Sequence, residues 1–580
     1  MGDVTSRLTS LSKGFREQYL DYDALTEQLQ IWQRAFPDWL RLESLGETPE
    51  GRQLWLAVLG REPERLRPAL WIDGNMHAAE LCGSSVALAW IEALLELFLS
   101  GNSEPLGVPE SVRRVVAEGL FYVLPRMSPD GAEMVLKTGR VVRSVPRDTR
   151  LDTGRPRWRA RDLDGDGQIL MLRYRDDAGE FIESSEEPGL MLRRQIDDPG
   201  PYYQLAVEGT IEHFDGVTVP APGAFDDHFP DLNRNFPWSW APEPEQEGAG
   251  AFPTSEPESR AVVEFATRHP NIFAWGNYHT FGGVYIRPLG HAPDVEMNAS
   301  DLSLYNQFAV WAAEHTGYPT VSGFHEFTYS PNQPLRGDIV DFAYHQRGTF
   351  AYTCELWDLF RQLGLEKPSR FAESYVRLGR AEHKKLWHWD REHNDSRIFR
   401  PWKLVEHPEL GQVDVGGVDP RIGVWNPPEQ RLPELCRSQV ELMFRVAALA
   451  PQLRLTCVER TPLGDGVWAA KVVIENLGYL PTYVLESARR GALGECPRLE
   501  LEPTGCTLTS PARSSFEIEH LLGWGRGAFS LQSSLLSTRS AGSASKTCVS
   551  FSVRGGGSVR VRVSSPRLGT LETIVVAPAE

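Results

Sequence analysis

Five short runs of this chain are apolar or aromatic almost without interruption: Trp55 to Leu59, Ala69 to Ile72, Leu120 to Leu124, Ile272 to Tyr278 and Thr349 to Cys354. A strand with no polar face has to be covered on both sides, which places such runs in the middle of a sheet. Between them, Val86 to Leu99 and Glu256 to Arg268 repeat apolar residues at helical spacing. Tyr22 to Glu43 does the same until Pro37 stops it. Strands of this kind alternating with helices predict an α/β sheet with helices on both faces.

The rhythm breaks at Asp148 to Asp227, a long polar interval, and again after Arg400, where Gly and Pro become frequent. A further helical run covers Pro433 to Leu449. Beyond Pro451 the chain turns into short alternating runs such as Trp468 to Glu475 and Gly557 to Ser564, the pattern of a small all-β sandwich. The expected division is therefore 1–450, with the polar insertion at about 148–227, and 451–580. Sixty Lys and Arg against 78 Asp and Glu give a formal charge of −18, which argues against nucleic acid or an anionic membrane as partner. Ala87 to Leu99 is broken by Glu92 and Glu96 and is too short for a membrane span. The opening MGDVTSRLTS lacks the apolar core of a signal peptide, so a cytoplasmic location is expected, with an exported form whose leader has been trimmed as the alternative. Seven cysteines without a CxxC pair suggest neither a disulfide framework nor a thiolate zinc cluster, and Cys82 and Cys354 read as core.

Three apolar runs end in residues that carry chemistry. His77 and Glu80 follow the second run, where a buried strand gives way to a helix; His279 closes the fourth and Glu355 the fifth. The carboxyl ends of buried strands are where open α/β sheets place their ligands. Taken alone, HxxE reads rather as a polar loop with a first-turn Glu facing the helix dipole than as a metal pair. Together, two neutral imidazoles and a carboxylate suit a Zn²⁺ ion with one position left for water. A further carboxylate that is not a ligand can take that water's proton, and Glu355 fits this part.

From about Tyr22 to Trp357, and more loosely to Leu449, these segments resemble the zinc carboxypeptidases of the carboxypeptidase A-like type, peptidase family M14. HAAE resembles the family's zinc pair, YHTFGG the segment of its third ligand, and GDIVDFAYHQRGTFAYTCELW the segment ending in its catalytic glutamate. The resemblance implies a mixed, mainly parallel central sheet. It implies one zinc ion on His77, Glu80 and His279, with Glu355 as general base and peptide or protein C-termini as substrate. SPDGAEMVLKTGRVVR implies Arg143 at the scissile carbonyl, with Arg140 three residues earlier reading as a surface arginine. DLNRNFP implies Asn233 and Arg234 at the terminal carboxylate. Tyr329 takes the place of the family's substrate-covering tyrosine. Val340 takes the floor of the side-chain pocket and favours aromatic or large aliphatic C-terminal residues, although Asp338 and Asp341 stand close by. Ala79 stands where an arginine is common, and the interval from Glu80 to His279 is longer than usual.

Inside the insertion, Asp162, Asp164 and Asp166 precede Gly167 at calcium-loop spacing, but Arg173 occupies the twelfth position, where a bidentate Glu is needed. Structural calcium and a tight acidic turn stay as alternatives. The function expected is a zinc metallocarboxypeptidase. Its rivals are a zinc amidase or N-acyl amino-acid deacylase, and a catalytically inactive peptide-binding relative. Oligomeric state is open.

Overall fold

The structure is a computed structural model that describes residues 8–100, 107–223, 225, 227–328, 333–376, 378–491, 493–525, 540 and 542–578. Its centre is an eight-stranded mixed sheet. The strands are β1 (Leu40–Glu47), β2 (Gln53–Leu59), β3 (Ala69–Gly74), β4 (Leu120–Leu124), β5 (Ile272–Thr280), β6 (Val284–Arg287), β7 (Thr320–Ser322) and β8 (Phe350–Leu356), in the order β1-β2-β4-β3-β5-β8-β6-β7. The middle strands β4, β3, β5 and β8 run parallel, and β1, β2 and β6 are antiparallel to their inner neighbours.

The five apolar runs all lie in this sheet, and β3 shows why they lack a polar face. Leu70 and Ile72 point to one apolar core, shared with helices α2 (Cys82–Ser100), α4 (Ala299–Thr316) and α5 (Leu432–Ala447). Ala69 and Trp71 point to another, under helix α3 (Pro257–Arg268). Helix α1 (Tyr22–Ala35) starts on Asp21, whose carboxylate accepts from the Ala24 amide, and ends ahead of Pro37. Helix α2 is longer than the sequence pattern suggests. Its 19 residues are long and apolar enough to cross a membrane, yet 89% of its apolar window is buried inside the protein, as in a core helix. Cys82 and Cys354 are fully buried.

The polar interval is more than an interruption. Met171–Arg175, Phe181–Glu183, Met191–Arg193 and Tyr203–Val207 pair antiparallel with one another and with Gly411–Val418, which in turn pairs with Phe399–His407. The result is a six-stranded sheet made from two distant chain segments. At the other end of the chain, two four-stranded antiparallel sheets share a core of Trp468, Val472, Ile474, Leu499, Val561 and Val563. Leu480, Val484 and Ala488 leave this sandwich to join the main core. Arg567, buried in a turn of the second sheet, donates to the carbonyls of Ile272, Arg347 (2.8 Å) and Gly348 (3.3 Å) beneath the central sheet.

Candidate metal centre and cleft

The close pass of β3 against α2 positions the first two candidate ligands. After Gly74 the chain bends through Asn75, at φ 55°, before entering the helix. A Cβ on Gly74 would stand 2.6 Å from the Gly83 backbone, so glycine is required for the approach. His77 and Glu80 lie in that bend, both buried. β5 delivers His279 and β8 delivers Glu355, and these two residues are direct register partners across the parallel pair.

Four donor atoms converge. His77 Nδ1 lies 2.9 Å from Glu80 Oε1 and 2.9 Å from His279 Nδ1, which is itself 2.9 Å from Glu80 Oε2. The outer ring nitrogens face acceptors: His77 Nε2 is 3.2 Å from Asp231 Oδ1, and His279 Nε2 is 2.6 Å from Asn277 Oδ1. An acceptor outside fixes the proton on Nε2 and leaves the Nδ1 lone pair turned inward. Two inward lone pairs and a buried carboxylate are acceptors facing acceptors, and among the described residues Glu80 Oε2 has no hydrogen-bond partner. A cation of zinc's preference fits this donor set.

The outer partners are themselves held. Asn277 donates its amide to Asp73, which also accepts from Trp71 Nε1 at 2.7 Å and Trp275 Nε1 at 2.8 Å. That bond turns the Asn277 oxygen toward His279. Burial pushes the Asp73 carboxyl up to about 6 against those three donors. Asp231 accepts from Arg143 Nε at 2.9 Å. Burial works against its charge, but Arg143, His77 and Arg234 outweigh it and hold the carboxyl well below the usual range. For Glu80, burial is likewise overcome by His77 and His279, and its value falls to about 2. Glu355 goes the other way: burial first, then the charge of Glu80, push it well up while Arg143 opposes. The two carboxyls of the site thus differ in proton affinity, Glu80 held charged by its imidazoles and Glu355 drawn toward its protonated form.

A cavity of about 130 Å³ opens beside this centre and is lined by His77, Glu80, Arg143, Asn233, Arg234, His279, Val340 and Glu355. The structure therefore brings all of these sequence candidates to one place. Asn233 also accepts from the Ile339 amide at 3.0 Å, which ties it to the segment carrying Val340. Asp338 and Asp341 share the wall with Val340, and burial followed by the charge of Asp341 pushes Asp338 up to about 7. Tyr329 lies outside the described residues; among those described, Tyr375 is the tyrosine of this cavity, with its hydroxyl on the Phe281 carbonyl. Arg140, expected at the surface, is buried against Asp227. A second cavity of about 960 Å³ adjoins the first through His77, Glu80, Arg143 and Arg234, and its far wall is the insertion sheet at Met171, Leu205, Val207 and Val418.

The calcium alternative finds no support. Asp162 accepts from the Gly165 and Gly167 amides, and Asp164 accepts from the Asp166 amide and the Lys403 ammonium at 2.9 Å. Arg173 pairs instead with Glu183 and Asp414. A backbone-capped acidic turn closed by lysine accounts for the loop. Asp231, Asn277 and Asp73 are the residues that sequence reasoning missed. The available signal was position: Asp231 opens DLNRNFP, and Asn277 stands two residues before His279, hence on the same strand face.

A sequence model of the zinc carboxypeptidase family matches residues 25–164 and 228–373. The gap between the two matches falls within the insertion. A model for a domain of unknown function matches 452–576. Carboxypeptidase B2 of Rattus norvegicus is 22% identical over 395 residues, 65% of this chain and 72% of its own length. The carboxypeptidase N catalytic chain of Rattus norvegicus is 31% identical over 121 residues, 20% of this chain and 25% of its own. Among solved structures, carboxypeptidase A from Helicoverpa armigera aligns over 61% of this chain and 70% of that one, at 16% identity and a TM-score of 0.39.

Proposed function

The chain belongs to the zinc carboxypeptidase family over the matched residues, and from that premise we propose that it hydrolyses the C-terminal peptide bond of peptides. The observation that carries the reading is the set of inward-facing donors on His77, Glu80 and His279, with Glu355 in register beside His279. His77, Glu80 and His279 would hold one zinc ion, which when bound supplies a Lewis acid able to bring water's pKa from ~15.7 toward ~7.

The remaining steps belong to side chains. Arg234, with Asn233 beside it, receives the substrate's terminal carboxylate in a planar donor fork. Arg143, held by Asp231, turns its guanidinium to the scissile carbonyl and stabilises the oxygen as charge develops there. A carboxylate oxygen of Glu355 takes the proton of the attacking water and passes it to the departing amine. Val340 offers apolar surface to the last side chain, and an acidic group seated there, beside Asp338 and Asp341, would be desolvated without a partner. We place the boundary of the catalytic part near residue 450, with 451–580 as a brace fastened through Arg567.

The test is a panel of blocked peptides that end in Phe, Leu, Lys, Arg or Glu, each as free acid and as amide, with zinc content measured on the same preparation. The expected result is release of the last residue from free acids only, fastest for Phe and Leu. Cleavage of small N-acyl groups in preference to peptides would establish the deacylase instead, and no turnover by zinc-loaded protein would establish the inactive relative.

A further inference from the structure

Behind the wall that carries Val340 lies a second group of ligand-type side chains, on segments separate from the centre described above. His291 follows β6. Asp341 and His345 lie on the helical turns Ile339–Asp341 and Phe342–Gln346. One donor atom from each of the three lies within 4.8 Å of the others. His291 Nδ1 is 2.6 Å from Asp341 Oδ2, and the two imidazole rings are 5.1 Å apart at 66°. The Gly290 amide donates to both oxygens of Asp341 at 3.1 Å, and the His345 ring stacks on Trp238 at 4.2 Å and 15°. These contacts aim the group before any ligand arrives.

Internal pairing does not complete it. The His291 to Asp341 contact accounts for one imidazole and one carboxylate. Among the described residues, His345 Nε2 is buried with no hydrogen-bond partner, and so is Asp338 Oδ2. A Cβ on Gly290 would come within 3.3 Å of Asp338 Oδ2 and 3.7 Å of Asp341 Oδ2, so both carboxylates crowd the same glycine. Buried polar atoms left unmet are costly, and two carboxylates here face fewer donors than they can use. A divalent ion would take the His345 nitrogen and neutralise the surplus negative charge together.

We propose that His291, Asp341 and His345 form a second metal site, of two imidazoles and one carboxylate, that takes a zinc-type divalent cation and pins the 288–291 loop to the turns bearing Val340. Two nitrogens and one oxygen suit a borderline ion such as Zn²⁺ better than the all-oxygen preference of calcium or magnesium. The site does not depend on the reaction proposed above, because it shares no ligand with it.

The experiment separates the two sites by stoichiometry. Full-length protein is stripped with a chelator, reloaded with ZnCl₂, freed of unbound metal by gel filtration and analysed for zinc per chain. Wild type should hold two equivalents, and His345→Gln one. His77→Ala/His279→Ala, which lacks the first centre, should still hold one, and adding His345→Gln to it should leave none. Far-ultraviolet circular dichroism confirms that each variant is folded, and His291→Gln replaces any His345 variant that is not. The double variant binding no zinc would overturn the proposal. So would a bound equivalent that survives loss of His345 or His291, and the cluster would then be an ion pair beside a stacked ring.

Discussion

His228 provides a quantitative test of how the cleft's charges act on stability. Its ring is buried beside Phe225, and its Nδ1 accepts the Arg143 backbone amide at 3.3 Å. Burial first, then Arg140 and Arg150, depress its value from 6.5 to about 4, against a smaller favourable effect of Asp148. The folded value is the lower one, so the unfolded chain binds the proton more tightly. The stability contribution is complete above the unfolded value and is lost as pH falls through the window from 6.5 down to about 4. Integrating bound protons gives about 2 kcal/mol lost between about pH 8 and about pH 5, and about 3 kcal/mol by about pH 4. His228→Gln keeps a side-chain acceptor and removes the titration. Urea denaturation of both proteins over this range isolates the effect, because every other titrating group is common to both and cancels in the difference. The wild type should lose about 2 kcal/mol more than the variant on going to about pH 5. Parallel curves would show that the imidazolium is accommodated, and that the arginines do not act on it as their positions suggest.

Glu355→Gln should keep full zinc content and peptide affinity while turnover falls by ~10²- to 10⁴-fold, because an amide does not accept the proton. Zinc loss in that variant would identify Glu355 as a ligand. Arg143→Ala should lower kcat with little change in KM, and Arg234→Ala should chiefly raise KM, as steady-state kinetics on one free-acid peptide will show. Equal effects of the two substitutions on both constants would remove the division between carbonyl and carboxylate docking.

The candidate site was legible wherever a residue's placement follows from its own strand. His279 and Glu355 close apolar runs, and a run apolar on both faces has one position available, the middle of the sheet. Their register pairing puts both at the same edge, and the turn after β3 adds His77 and Glu80. The surrounding support was not legible, because it depends on contacts between segments far apart in sequence. Asp73 reads as one polar residue in an apolar strand until Trp71, Trp275 and Asn277 are seen to donate to it. The insertion read only as a polar interval because its strands are three to five residues long, too short for alternation to register, and because the sheet they form is completed by Gly411–Val418 and Phe399–His407, far away in sequence. Arg140 misled for the same reason: its partner, Asp227, lies at the far end of the insertion.

The insertion sheet also bears on how the chain is made. Its two halves, 171–207 and 399–418, lie on either side of His279 and Glu355 in sequence, and helix α5, which packs on α2, comes later still. During synthesis every proposed catalytic side chain leaves the ribosome before Gly411–Val418, the outer partner of Met171–Arg175, has been made. Until Gly411–Val418 emerges, Met171 to Arg175 is paired with Tyr203–Val207 on one side only, and its other edge is open to pairing with other chains. The walls of the cleft are thus completed late, so translation that stops shortly after Glu355 should yield an aggregation-prone chain rather than a smaller folded one. Expression trials with C-terminal deletions would meet that limit before they reached any proposed catalytic residue.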